Sequence, residues 1–244
     1  MRVVPVGIAL VILSLAVPAA AQEWTEYKSM QDRFSVLFPG EPRVTETTWT
    51  SEMRLTLPAR VYSVEKGRER YSVTVVDYRD IEKQGVAHLK TCAPGATSCF
   101  GSDLSGPGYW KHDVRGALIY ATRKYLESDS TLTEYLWNHQ NLVEGHELHL
   151  TNPDKSRTNV FIGMHEMKLY IAEGTVPDGY PEPGLFQSSL GWLDENGNGI
   201  RYQAIYANQF HGLKLLPPPG RAGGGRGGGG GGAAGGGGGR GGAQ

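Results

Sequence analysis

Residues 59–78, ARVYSVEKGRERYSVTVVDY, decide the fold. The segments 60–65 and 71–78 are rich in Val, Tyr, Ser and Thr, which suit a pleated surface. Between them Lys66-Gly67-Arg68-Glu69 is polar and carries a glycine able to take positive φ. The stretch therefore reads as a β-hairpin. Side chains alternate across a strand, so Tyr71, Val73 and Val75 share one face while Ser72, Thr74, Val76 and Tyr78 share the other. That second face changes from polar to apolar along its length. A strand partly apolar on both faces is covered on both sides, and helices are the expected cover. The turn charges Lys66, Arg68, Glu69 and Arg70 nearly cancel and read as solvated, not as a binding patch.

Outward from the hairpin, both ends of the chain are separable. Arg2 precedes an apolar run at 6–17, and Pro18-Ala19-Ala20-Ala21 fits a small-residue cleavage pattern, so residues 1–21 read as a secretory signal peptide. The run falls short of the roughly 20 apolar residues that span a bilayer, and no later segment reads as transmembrane, so no stable membrane insertion is expected after cleavage. Pro217-Pro218-Pro219 is a stiff spacer, and residues 220–244 are almost all glycine with three arginines. Residues 217–244 read as a spacer and a disordered tail. The remainder, 22–216, is long enough for one domain with a real core. Formal charge is −1 for the 244-residue chain; removing Arg2, Arg221, Arg226 and Arg240 leaves −5 for this domain. A mildly acidic domain is a poor polyanion ligand. The tail has no aromatic residue to stack on bases. No nucleic-acid partner is expected.

Residues 33–38 (RFSVLF) alternate and read as a strand stopped by Pro39-Gly40-Glu41-Pro42. Residues 44–49 read as another. Asp80 can cap a helix over 80–90 with Ile81, Val86 and Leu89 as its apolar positions. The 109–127 segment admits a helix with Val114, Leu118 and Tyr125 on one face. Gly116 and the β-favouring 117–125 tilt the reading slightly to a strand over Arg115–Leu126. Segments 131–139, 146–151, 158–163 and 168–173 read as successive antiparallel strands. Residues 181–194 read as a closing helix with Leu185, Phe186, Ser189, Leu190 and Leu193 inward, and 200–206 as a last strand or extended edge. Helices before and after a run of hairpins predict an α+β fold, an antiparallel sheet covered by helices.

Cys92 and Cys99 enclose six turn-rich residues. Export places them in an oxidising compartment, so a disulfide is expected. It would stabilise the fold by about 2 kcal/mol on the chain-entropy account. The spacing is not Cys-x-x-Cys and the loop offers no cation to activate a thiolate, which excludes redox chemistry.

Among the seven histidines, His146 and His149 point to opposite faces if GHELHL is a strand. His-Glu-x-x-His is absent. His139, His149 and His165 are the residues that could meet as a metal site if their hairpins pair suitably; the bland reading, partly exposed strand histidines, is preferred, and no cofactor is expected. Asp194-Glu-Asn196-Gly-Asn198-Gly199 matches the first half of a calcium loop, but its twelfth position is Ile205, not the closing Glu. It reads as an Asn/Gly turn. Ser63-Val-Glu-Lys66 has a Ser-x-x-Lys spacing, yet on a strand the two residues face opposite sides. No catalytic set emerges, and the protein is not read as an enzyme.

Trp24, Tyr27 and Phe34-Ser-Val-Leu-Phe-Pro-Gly-Glu-Pro42, followed by Arg70-Tyr-Ser-Val-Thr-Val-Val-Asp-Tyr78, Lys168-Leu-Tyr-Ile171 and Ser188-Ser-Leu-Gly-Trp-Leu193, resemble small exported bacterial proteins of unknown function related to the PsbP-like fold. That resemblance implies an antiparallel sheet between helices, an α/β/α sandwich, serving mainly as a binding or scaffold module. It brings no catalytic residues. The combined expectation is a periplasmic or secreted, non-catalytic binding or scaffold module of the cell envelope, its partner an envelope protein or ligand not named by the sequence. The alternative is a periplasmic small-molecule or metal-binding protein, with a hydrolase behind it.

Overall fold

The structure is a computed structural model in which residues 24–89 and 110–206 are described. In chain order the elements are β1 (Thr25–Ser29), β2 (Phe34–Phe38), β3 (Arg43–Thr50), β4 (Thr56–Lys66), β5 (Glu69–Asp77), α1 (Ile81–Leu89), α2 (Trp110–Leu126), β6 (Thr131–Gln140), β7 (Val143–Thr151), β8 (Arg157–His165), β9 (Lys168–Val176), α3 (Gly184–Ser188) and β10 (Gly191–Trp192). Every described element lies within the unit Met1–Gly212. The expected leader, Cys92 and Cys99, and the 217–244 spacer and tail lie outside the described residues.

Seven strands form one antiparallel sheet in the order β3-β4-β5-β9-β8-β7-β6, and β1-β2-β10 form a smaller one. The deciding hairpin is β4–β5. It pairs from Ala59↔Val76 to Lys66↔Glu69 and closes with a two-residue turn in which Gly67 takes a φ of 59°. Only a residue without a Cβ adopts that conformation freely. β5 then pairs with β9, which puts the hairpin inside the sheet with neighbours on both sides.

Both faces of the large sheet are buried. On one, Leu57, Ala59, Val76, Tyr78, Leu148, Val160, Ile162, Leu169 and Ile171 pack with Ile81 of α1 and Val114, Ala117, Leu118 and Ala121 of α2. On the other, Tyr62, Tyr71, Val73, Val75, Phe161, Tyr170 and Ala172 pack against Phe34, Val36 and Phe38 of β2, Phe186 of α3 and Trp192 of β10. The alternation of residues 71–78 is thus the division between two cores, and their apolar burial is the chief stabilising effect.

Helices were expected over both faces; α1 and α2 cover one, and the small sheet with short α3 covers the other. The aromatic FSVLF strand already buries four of its five residues, so it can serve as a cover layer by itself. Residues 110–126 are helical, against the tilt toward a strand. Val114, Ala117, Leu118 and Ala121 fall on one helical stripe and all meet the sheet, and this period-3.6 burial outweighs local β preference. The closing helix shrinks to five residues. Ser189 donates to Phe186 O and accepts from Leu37 N, which ends the helix and steers Gly191–Trp192 into pairing with β2. Leu185, placed inward by the helical stripe, is 77% exposed. Residues 200–206 carry no strand beyond the bridge of Tyr206 to Val143.

Candidate functional site

Cross-strand neighbours on the face under α1 and α2 form rows about 4.8 Å apart along the hydrogen-bonding direction. One row reads Ser63, Ser72, Glu173, Val160 and Leu148. The next, toward the hairpin turn, reads Glu65, Arg70, Thr175, Thr158 and Leu150. In the other direction the rows become Val61, Thr74, Ile171, Ile162 and then Ala59, Val76, Leu169, Met164. The face that turns from polar to apolar along β5 does so across four strands. Its apolar half carries the helices. Its polar half floors a cleft of about 670 Å³.

The last turn of α2 supplies the cleft's inner wall through Tyr125, followed by Ser128 and Ser130; the β7–β8 turn at Asn152–Ser156 supplies the outer wall. A smaller hollow of about 290 Å³ shares Glu65, Arg70, Asp154, Ser156 and Thr175 with it and continues to Gly67 and Arg68 at the hairpin tip. The two make one trough.

Hydrogen bonds hold the walls. Asn152 Nδ2 donates to Ser156 Oγ and Thr158 Oγ1, both at 2.8 Å, and its Oδ1 accepts from Ser130 at 2.7 Å. Thr158 and Thr175 hydroxyls meet at 2.8 Å. Glu173 is the half-buried exception in a β9 otherwise buried at every position. Tyr125 donates its phenol to Glu173 Oε2 at 2.6 Å. Burial, then the Glu173 charge and that hydrogen bond, push the Tyr125 phenol well above its ordinary value, so it remains a donor. Among the described residues no lysine or arginine pairs with Glu173, and the Ser63 and Ser72 hydroxyls have no hydrogen-bond partner. The cleft therefore presents two uncommitted hydroxyls and one carboxylate in a straight row. Among the described residues no histidine, cysteine or lysine lines it.

A second polar cluster ties the two sheets together. Fully buried Asp32, between β1 and β2, accepts from Arg60 Nη1 at 2.9 and 3.0 Å, Lys168 Nζ at 2.8 Å and Tyr62 OH at 2.7 Å. Tyr170 donates to Asp32 O at 2.7 Å. Burial would raise the Asp32 carboxyl, but hydrogen bonds from Lys168, Tyr62 and Arg60 outweigh it and hold the group below its ordinary value. Both carboxylate oxygens of Asp32 accept from these side chains, which marks a structural clamp.

The three sequence-nominated histidines are held apart. His149 lies between Glu134 and Glu147, at 3.0 Å from each. His139 is on β6 beside the Trp137 ring, at 6.0 Å between centroids. His165 ends β8 on the small-sheet side, 4.7 Å from the Trp192 ring centroid, with Tyr202 OH at 2.6 Å from its Nε2. Register places His139 opposite Glu144 and so on the helix-covered face, away from the other two. Among the described residues no three His, Cys, Asp or Glu side chains gather as a metal site. Burial, then Arg33 and Lys168, lowers His165 to about 4, so it is neutral near pH 7.

The Asp194–Gly199 segment is an Asn/Gly turn: Asp194 Oδ1 accepts from Asn196 N and Asn198 N, both at 2.8 Å, and Gly197 has a φ of 84°. Ser63 faces the cleft, and Lys66 pairs opposite Glu69 with the opposite parity, so the Ser-x-x-Lys spacing brings nothing together.

Glu173, Tyr125 and Asn152 were missed by sequence reasoning. A signal was present: in KLYIAEGTV, Glu173 and Thr175 are polar on alternate positions of an apolar strand, matching Ser72 across the ladder.

No protein-family model matches the chain, and no curated protein matches it. Among solved structures it is similar to cyanobacterial PsbP from Synechocystis sp. PCC 6803, at 11% identity and a TM-score of 0.40, over 74% of this chain and 99% of that one. That neighbour is of the fold the sequence resembles. Among the described residues no helix is long and apolar enough to cross a membrane.

Proposed function

We propose that this protein is a non-catalytic binding module of the bacterial cell envelope, periplasmic or secreted, and that it recognises its ligand in the trough on the polar half of the large sheet. One observation carries this: the trough combines a volume of about 670 Å³, within the usual range of ligand sites, with walls fixed by hydrogen bonds and a floor whose hydroxyls are uncommitted. Export rests on the leader read at residues 1–21, and a Cys92–Cys99 disulfide suits that compartment. A binding role is supported by a lining that, among the described residues, is made of hydroxyls, amides and carboxylates around its serines, with no nitrogen base of the kind that activates a hydroxyl.

A photo-crosslinking residue at Ser63, introduced in intact producing cells, tests the proposal. One reproducible adduct is expected at Ser63. None is expected from a crosslinker at Glu195, in the exposed turn, and Ser72→Trp, which fills the floor, should abolish the Ser63 adduct. Absence of an adduct at Ser63, or the same adducts at both positions, would overturn the trough as the recognition site.

A further inference from the structure

Taking the trough as the recognition site, we infer that its ligand is an amino sugar chain, with an ammonium group on Glu173 and hydroxyls on Ser63 and Ser72. The cation follows from Glu173. It is a half-buried carboxylate at the middle of a seven-stranded sheet, it receives one phenol hydrogen bond, and among the described residues no cation pairs with it. A carboxylate withdrawn from water gains most from a charged donor. The trough sets three carboxylates, Glu65, Asp154 and Glu173, against the guanidinium groups of Arg70 and, at its far end, Arg68, and the balance disfavours an anion.

The sugar follows from the row. Ser63, Ser72 and Glu173 are direct cross-strand neighbours on one face, about 4.8 Å from one to the next. A serine hydroxyl both donates and accepts, as a sugar hydroxyl does. The ring of Tyr125 walls the inner end, where it can meet the apolar C–H side of a pyranose. The extension toward Gly67 and Arg68 leaves room for more than one ring. An extended peptide is a poorer fit: it binds by adding to a free strand edge, whereas the floor belongs to β4, β5 and β9, each paired on both sides.

Titration calorimetry on the mature chain would use two probes of equal ring number, the glucosamine trimer and the neutral, bulkier N-acetylglucosamine trimer. The glucosamine trimer should bind, the N-acetylated one should bind at least tenfold more weakly, and Glu173→Gln should remove that difference. Ser72→Trp should abolish binding of both. Equal affinity for the two trimers, or indifference to Glu173→Gln while Ser72→Trp still blocks, would overturn the ammonium assignment and leave the trough as the site. Binding of neither trimer would overturn the sugar assignment. The trough itself stands or falls by the Ser63 and Glu195 crosslinking result.

Discussion

Asp32 shows how a single side chain joins the two sheets. Its three partners, Arg60, Tyr62 and Lys168, come from two strands of the large sheet. Asp32→Asn would leave the buried Lys168 ammonium without its directly hydrogen-bonded carboxylate, with only the neighbouring Asp77 charge to offset it, and should cost about 3 kcal/mol, read as a lower urea midpoint. The acid form of this effect has a definite sign. A carboxyl held below its ordinary 3.8 stabilises the fold above that pH and loses its contribution as pH falls through the lower, folded value. Two other groups act at milder pH, in opposite directions. His165 is lowered from 6.5 to about 4, so the unfolded chain takes its proton first and stability declines as pH falls from 6.5 toward 4. Asp113 is fully buried and raised from 3.8 to about 6, chiefly by burial, with Glu52 adding to the rise while the Ser51 hydroxyl and the Met53 amide oppose it. Its contribution is complete below 3.8 and lost as pH rises through 6. Each is worth on the order of 3 kcal/mol at its full extent. Between pH 6.5 and 4.5, His165→Phe should therefore make stability rise on acidification relative to the parent, and Asp113→Asn should make it fall. Urea midpoints at the two pH values read both; slopes of the same sign in the two variants would refute the assignment.

At the level of elements, glycine placement governs how closely strands and rings approach. Phe161 lies across Gly145 and Gly163, and a Cβ on Gly145 would stand 2.6 Å from the ring and 2.3 Å from Ile162 O. Gly145→Ala should cost about 2 kcal/mol in denaturant unfolding, because backbone cannot yield as a flexible side-chain tip can. At the other extreme, β6 is the outer strand of the large sheet, with Tyr135, Leu136 and Trp137 exposed and no lysine or proline along it. Such an edge favours association with other strands, and Leu136→Lys should lower any concentration-dependent light scattering. These elements also show what the sequence makes legible. The β4–β5 hairpin, β2, α1 and the run from β6 to β9 follow from period-2 and period-3.6 patterns with turn residues between them. Helix α2 was less legible because Ile119, Tyr120 and Tyr125 favour strands locally, while the deciding stripe of Val114, Ala117, Leu118 and Ala121 acquires its value only when a sheet lies beneath it. The small sheet as a cover layer depends on Asp32 reaching Arg60 and Lys168, a pairing across 28 and 136 positions that no local pattern encodes. The trough was half visible: Ser72 and Thr74 announced a polar face, but the alignment of Ser63 and Glu173 with Ser72 is set by register across three strands.

For the described domain as a whole, the two cores are parts of one object, because the large sheet forms a wall of each. Tyr71, Val73 and Val75 face one core while Val76 and Tyr78 of the same segment face the other. Unfolding should then be a single cooperative event. Trp192 is buried beside Tyr170, at 4.9 Å between ring centroids, and reports on the small-sheet side, whereas far-ultraviolet dichroism reports on backbone throughout. Their thermal midpoints should coincide in the parent protein; a separate, earlier fluorescence transition would show that the small sheet detaches independently. The division of the helix-covered face has one more consequence, for how such a protein can change over generations. The side chains that carry the helices and those proposed to meet a ligand are different residues of the same strands. Ser63 and Ser72 belong to neither buried core and Glu173 is tied to helix α2 only through the Tyr125 phenol, so all three can be exchanged for other polar residues while Val76, Leu169 and Ile171 keep the domain folded. Inherited variation can accordingly move the ligand preference of the trough through many intermediates, each of them a folded protein.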